Sequence, residues 1–139
     1  MNPTDRYEES YRRQMDAFQE GLWAHLDAVP SLQPVTRDAV LSYLLELACQ
    51  AQNVQNITLG RKAILSLPRE WLLCYIERYA EPLLQLEDEW EYRRLGEIYE
   101  QLEHDLARRL ALRGLASRDG GIREAARDLQ GQLDCVHRS

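Results

Sequence analysis

Cysteine is scarce in this chain and poorly spaced for chemistry. Cys49, Cys74 and Cys135 lie far apart, with no Cys-x-x-Cys pair among them. A disulfide framework or a structural zinc site needs closely spaced or even-numbered sets, so neither is expected, nor is any other metal site. The three read as small apolar residues on helices in a reducing compartment. Long apolar runs are also missing, and none approaches the ~20 residues that cross a bilayer. The opening, MNPTDRYEESYRRQ, is polar and acidic. It fits neither a secretory signal nor an arginine-rich transit peptide, so the cytoplasm is the expected location.

Sustained apolar/polar alternation is absent, and Val and Ile are few, which excludes a sheet as the organising element. Lysine is nearly missing: of 17 basic residues only Lys62 is a lysine. A GC-rich genome would produce that bias, and so would selection for bidentate Arg–carboxylate contacts. The signatures of common enzymes are lacking too. The single Gly pair, Gly120-Gly121, follows no strand, so no phosphate cradle is expected. No Ser or Cys sits in a nucleophile elbow. Glu87-Asp88-Glu89 lacks the alternating oxygens and central Gly of a calcium loop. Glu97, Glu100 and His104 could share a helix face, but a di-iron site wants Glu-x-x-His on two helices. Gln101 stands three residues before His104, and His25 and His137 lie in other segments. The chain reads as non-enzymatic and without a cofactor.

What is present is helical pattern. With 139 residues, 45% hydrophobic and 29% charged, the sequence suits one folded domain with a core of its own. The organising stretch is Ser66–Leu102, read as two helices joined by an acidic turn. Pro68 stands where a first-turn proline belongs. Leu72, Ile76, Tyr79, Ala80 and Leu83 then recur at helical spacing, and Pro82 should kink or end that helix. Asp88 is the expected cap of the next helix, with Glu91 completing an acidic capping box. Its stripe is Tyr92, Leu95, Ile98, Tyr99 and Leu102.

Around this hairpin the other helices fall into place. Tyr7, Tyr11, Met15, Phe18, Leu22, Leu26 and Val29 predict one long helix from Thr4 to about Ala28. VPSLQP is a linker. Thr36–Ala51 is apolar nearly all round and therefore central. Asn53 or Asn56 caps a third helix ending near Ser66. A break near Glu103–Asp105 is preferred to one unbroken helix from Asp88 to Leu112. Leu106, Leu110 and Ala111 line the sixth helix, which closes at Gly114–Ser117. Asp119 caps the last, whose face is Ile122, Ala125, Ala126, Leu129 and Leu133, before a frayed HRS tail. The fold class is all-α, about seven helices. Val40, Leu44, Leu47, Ile64, Leu72, Ile76, Leu95 and Ile98 are the expected core.

Three segments align weakly: LGRKAILSL at Leu59–Leu67, YRRLGEIY at Tyr92–Tyr99 and GIREAARDL at Gly121–Leu129. Each carries an arginine near the expected helix start (Arg61, Arg93, Arg123), repeating at about thirty residues. Asp-x-x-Ile-Arg-Glu-Ala-Ala at Asp119–Ala126 resembles the inner-helix start of HEAT-like or armadillo-like repeats. There an Asp caps the helix and an Arg ties neighbouring repeats together. Asp88 with Arg93 would be a second instance, with one extra residue in the gap. The resemblance covers about residues 53–133. It implies a short α-solenoid-like array of hairpins (53–135), with residues 1–52 as an N-terminal cap within one domain spanning 1–139. The strings LPREW, DEWEYRR and GLASRDGGIREAA resemble a bacterial family signature to which no activity attaches.

Function is read by elimination. A net charge of −6 repels nucleic acid and acidic membranes. The pairs Arg12–Arg13, Arg93–Arg94 and Arg108–Arg109 could form a phosphate-binding stripe, as in HEAT-like DNA-processing proteins, but neighbouring acids would neutralise it. A protein-binding face remains, for an adaptor or for an inhibitor of a basic toxin or enzyme, in a monomer or homodimer. The candidate patch is Trp90 with Arg93, Arg94 and Glu97, together with Arg61 and Arg123. An aromatic beside Arg is the composition of an interface anchor; alternatively, Trp90 packs across the 86–90 turn as a staple.

Overall fold

Glycine and proline mark several of the helix boundaries of this chain, and polar caps mark others. The computed structural model describes residues 3–138, with side chains described from 6 to 135. The protein is all-α: among the described residues there are seven α-helices, joined by turns and short 3-10 segments, and no strand. Ser139 and the side chain of His137, in the tail expected to fray, fall outside the described residues. Met1–Ala80 and Glu81–Ser139 form two compact units.

In the first unit, α1 spans Pro3–Phe18. The expected long first helix stops there. Gly21 adopts φ +77°, the left-handed geometry that ends helices, and its N–H donates to Asp16 Oδ1 at 2.9 Å. The chain continues as 3-10 turns over Leu22–Ala24 and Leu26–Ser31, the latter containing Pro30. Leu22 and Val29 are still buried, so the apolar stripe identified core residues correctly while their backbone changed type.

Helix α2 spans Pro34–Leu45, with Pro34 in its first turn, and runs on as a π-type segment over Glu46–Gln50. The wider turn rephases the side chains: Ala48 and Cys49 are buried, whereas Leu47, an expected core residue, is only half-buried. Helix α3 spans Val54–Leu65, and of the two candidate caps the structure uses Asn53, whose Oδ1 accepts the Asn56 N–H at 2.8 Å. Gly60 lets α3 approach the backbone at the end of α2: a Cβ there would lie 2.6 Å from the Ala48 nitrogen and 3.0 Å from the Leu44 oxygen. Helix α4 spans Arg69–Leu83, and its hydrogen bonding starts at Pro68, whose carbonyl accepts the Leu72 N–H at 2.9 Å. Pro82 lies in its last turn, as expected of a helix-ending proline. Val40, Leu44, Ile64, Leu72 and Ile76 are fully buried.

In the second unit, α5 (Glu89–Leu102), α6 (His104–Leu115) and α7 (Gly120–Arg138) pack against one another. Glu103 alone breaks α5 from α6, with an extended backbone of φ −162° and ψ 132°. Leu95, Ile98 and Tyr99 of α5 are fully buried, as are Ala107 and Ala111 of α6 and Ala126 of α7. Tyr92, also buried, donates its hydroxyl to the Leu110 carbonyl at 2.8 Å. Burial pushes its pKa up to about 12.

Among the described residues, no helix is long and apolar enough to cross a membrane.

Candidate functional site: the outer face of α5

Asp88 sets the start of α5. Its Oδ1 accepts the N–H groups of Trp90 at 2.9 Å and Glu91 at 3.1 Å, satisfying donors that a helix start leaves open. The expected capping box is not closed as drawn. Glu91 Oε1 accepts from the Gln85 N–H at 3.3 Å, one turn upstream, while the Asp88 N–H donates to the Gln85 carbonyl.

With Tyr92, Leu95, Ile98, Tyr99 and Leu102 turned inward, helical geometry sends Trp90 outward. It is 69% exposed, so it does not staple the turn. The Arg94 guanidinium carbon lies 5.9 Å from the indole centroid, within cation–π range. Glu97 follows on the same outward stripe and is exposed.

Arg93 faces α7. Its Nη1 donates to Asp128 Oδ2 at 2.9 Å and its Nε to Glu89 Oε1 at 3.0 Å. The Asp128 hydrogen bond, against the cost of partial burial and helped by Glu89, holds its pKa above the usual value. A planar guanidinium can serve two acceptors at once in this way. Beside it lies a shallow groove of about 70 Å³, lined by Tyr92, Arg93, Glu97, Ala125, Asp128, Leu129 and Gln132.

Arg123 acts locally instead. Its Nη1 donates to the Ser117 carbonyl at 2.8 Å, closing the α6–α7 turn. Asp119 Oδ1 caps α7 through the Ile122 N–H at 3.0 Å. Arg61 belongs to the first unit. It lies in the second half of α3 rather than near its start, because the Asn53 cap begins that helix earlier than the alignment implied. There it lines a groove of about 400 Å³ with Ile57, Thr58, Lys62, Leu65 and Ser66. Trp90, Arg93, Arg94 and Glu97 therefore share one helix, Arg123 serves the turn before α7, and Arg61 is placed on α3.

An aromatic ladder on α4 was not anticipated from the sequence. Trp71 and Tyr75 have ring centroids 5.4 Å apart, and Tyr75 and Tyr79 6.3 Å. Arg37 and Arg78 place guanidinium carbons 5.9 Å and 5.6 Å from the Tyr75 ring centroid. The Tyr79 hydroxyl donates to Asp38 Oδ1 at 2.5 Å, and that bond, with burial, raises its pKa. Tyr79 is thus half-buried and hydrogen-bonded, unlike the fully buried Leu72 and Ile76 with which its spacing grouped it. The signal was the i, i+4, i+8 spacing of three aromatics, one position behind the buried stripe.

The charge around α5 is lopsided. From Glu87 to Glu103 the sequence places seven carboxylates (Glu87, Asp88, Glu89, Glu91, Glu97, Glu100, Glu103) against Arg93 and Arg94. Among the described residues, no three His, Cys, Asp or Glu side chains stand where they could hold a metal ion together. An exposed indole, a guanidinium and carboxylates are groups suited to recognition. No family model matches the chain, and neither a curated protein nor a solved structure is found to be similar to it.

Proposed function

We propose that this chain is a non-catalytic, helical protein-interaction module, an adaptor or an inhibitor, that presents the outer face of α5 to a protein partner. The observation that carries this reading is the 69% exposure of Trp90 beside Arg94. A large aromatic held in water on a rigid helix gains much by being covered. Trp is among the residues that dominate binding energy at protein interfaces. Arg93, tied to α7 through Asp128, steadies the helix that displays it.

The HEAT-like organisation is part of the same proposal, for α5–α7. Both α5 and α7 start on an Asp cap, and Arg93 reaches from the first turns of one to the other, the role such an arginine has in stacked repeats. Arg61 does not extend the pattern to α3. Cys49, Cys74 and Cys135 are not joined in disulfides, which suits a reducing compartment such as the cytoplasm.

A photo-cross-linking amino acid placed at position 90, with one at exposed position 127 as control, tests the reading in cells. Position 90 should trap a defined protein. The purified partner should then bind the wild-type chain and lose at least about tenfold in affinity for Trp90→Ala, an anchor-sized effect. Trapping at position 127 alone, or no loss on truncating Trp90, would overturn it. Labelled DNA and RNA at low salt form the competing arm. Tight retention that falls steeply as salt rises would assign the chain to nucleic acid instead.

A further inference from the structure

We infer that the segment docking on α5 is basic and places a lysine or arginine on the Trp90 ring, where Arg94 now lies. The inference rests on the reading of that face as a protein-binding surface and adds the chemistry of the partner.

Glu87 lies in the turn before α5, and Trp90, Arg94, Glu97 and Gln101 follow one another on the outer stripe of the helix, in steps of four, three and four residues. That spacing makes them neighbours along one helix face. The indole already hosts a cation, with the Arg94 guanidinium carbon 5.9 Å from its centroid. That distance is near the outer limit of a cation–π contact, so a closer cation from a partner would compete for the ring. Arg93 adds little positive field, because Glu89 and Asp128 both accept its hydrogen bonds.

The sequence of this stretch is negative. Seven carboxylates against two guanidiniums between Glu87 and Glu103 leave a surplus of five negative charges along it, in a chain whose net charge is −6. Glu97, exposed, follows the Trp90–Arg94 pair on α5, and Glu87, also exposed, precedes it in the turn before the helix. Such a field draws in basic partners and raises their association rate. It opposes a nucleic-acid backbone or an acidic membrane, and it makes the same face of a second copy a poor match.

Peptides are selected from a random displayed library on the immobilised full-length chain at near-physiological salt, with counter-selection on Trp90→Ala. Enriched sequences are then synthesised with a fluorophore and titrated by anisotropy. The expected winners are rich in Arg or Lys, and their affinity weakens with rising salt. Affinity should fall at least about tenfold for Trp90→Ala, and comparably for the double variant Glu87→Lys/Glu97→Lys. Arg94→Ala should bind as tightly as wild type or more tightly, because the incoming cation takes its place. Trp90, Arg94 and Glu97 are on the outer stripe of α5 and Glu87 is exposed in the turn before it, and unchanged circular dichroism verifies folding.

Acidic or uncharged winners overturn the inference, as does a lack of enrichment over the counter-selection. So does a loss on Arg94→Ala as large as on Trp90→Ala, which would make Arg94 the anchor for an acidic partner. Concentration-dependent self-association abolished by Trp90→Ala would assign the face to a second copy and also overturn it. If cross-linking at position 90 traps a partner with a non-basic contact surface, the protein-binding reading stands and only this inference falls. If neither experiment yields a partner, both fall.

Discussion

Gly114 of α6 lies directly against the hydroxyl end of the Tyr92 ring of α5. A Cβ at that glycine would collide with the Tyr92 hydroxyl and stand 2.8 Å from the Ala126 Cβ of α7. Three helices thus meet where one side chain is missing. The Tyr92 hydroxyl reaches the Leu110 carbonyl at 2.8 Å across the space so left. Gly114→Ala should therefore destabilise, although alanine is the better helix former by ~1 kcal/mol. Overpacking a dense core costs ~1–3 kcal/mol, and here both the ring and α7 would have to move. Urea denaturation of Gly114→Ala, Tyr92→Phe and the double variant reads the coupling. The two single costs should add to more than the double, and simple additivity would mean that the helices separate freely at this point.

Leu95 and Trp90 make a matched contrast on the same helix. Leu95 is fully buried and Trp90 is 69% exposed. Leu95→Ala should cost ~2–5 kcal/mol through lost contacts and a cavity. Trp90→Ala should change stability by no more than ~0.5 kcal/mol, as at an ordinary surface position. Equal losses in a denaturant titration would place Trp90 in a packed role after all.

The caps of α5 and α7 are the same device used twice. Asp88 Oδ1 accepts two backbone N–H groups and Asp119 Oδ1 accepts one. Each Asp→Ala should cost ~0.5–2 kcal/mol, and each Asp→Asn less, because an amide oxygen still caps. Amide hydrogen exchange should show the loss first at Trp90 and Glu91 for one variant and at Ile122 for the other. Protection unchanged at those sites would separate the hydrogen bonds from the stability.

Alkaline pH should unfold this protein through its buried phenols. Tyr11 and Tyr92 both have pKa values pushed up to about 12 from the ordinary 10.0, chiefly by burial, with Tyr43 adding to the effect at Tyr11. Both phenols are neutral in either state below pH 10, where their contribution to stability is fully present. Above pH 10 the unfolded chain ionises and the folded one resists. Stability is then lost as pH rises through the 10-to-12 window. Denaturant midpoints measured across that range should fall, and Tyr92→Phe should flatten the slope. A slope unaffected by Tyr11→Phe and Tyr92→Phe alike would show that other groups drive the transition.

The caps and stripes were legible because they are local. Asp88, Asn53 and Asp119 bond N–H groups two or three residues away, and Glu103 separates α5 from α6 in the predicted place. Periodicity likewise marked Ile64, Leu72, Ile76, Leu95 and Ile98 for the core, because a helix buries whichever face is apolar. The same logic ran past Phe18. The stripe from Tyr7 to Val29 needs its apolar residues inside, and 3-10 turns after Gly21 bury Leu22 and Val29 as well as an α-helix would.

Tertiary structure decided everything that depends on residues distant in the chain. The carboxylate that Arg93 meets on α7, Asp128, lies 35 positions away. Tyr79 was placed on the apolar stripe of its helix, but Asp38, 41 positions away, gives its hydroxyl a partner. Leu47 lost its core place to a π-type turn. Trp90 could have packed across its turn or stood in water, since both satisfy the same helical spacing; with Tyr92 and Leu95 buried on the inner face of α5, Trp90 is left exposed. Sequence determined that these segments are helices and which stripes are apolar, because backbone hydrogen bonds and side-chain periodicity act over a few residues. Packing determined which polar groups meet and which aromatic stays in water, because a side chain's burial depends on what the rest of the chain sets against it.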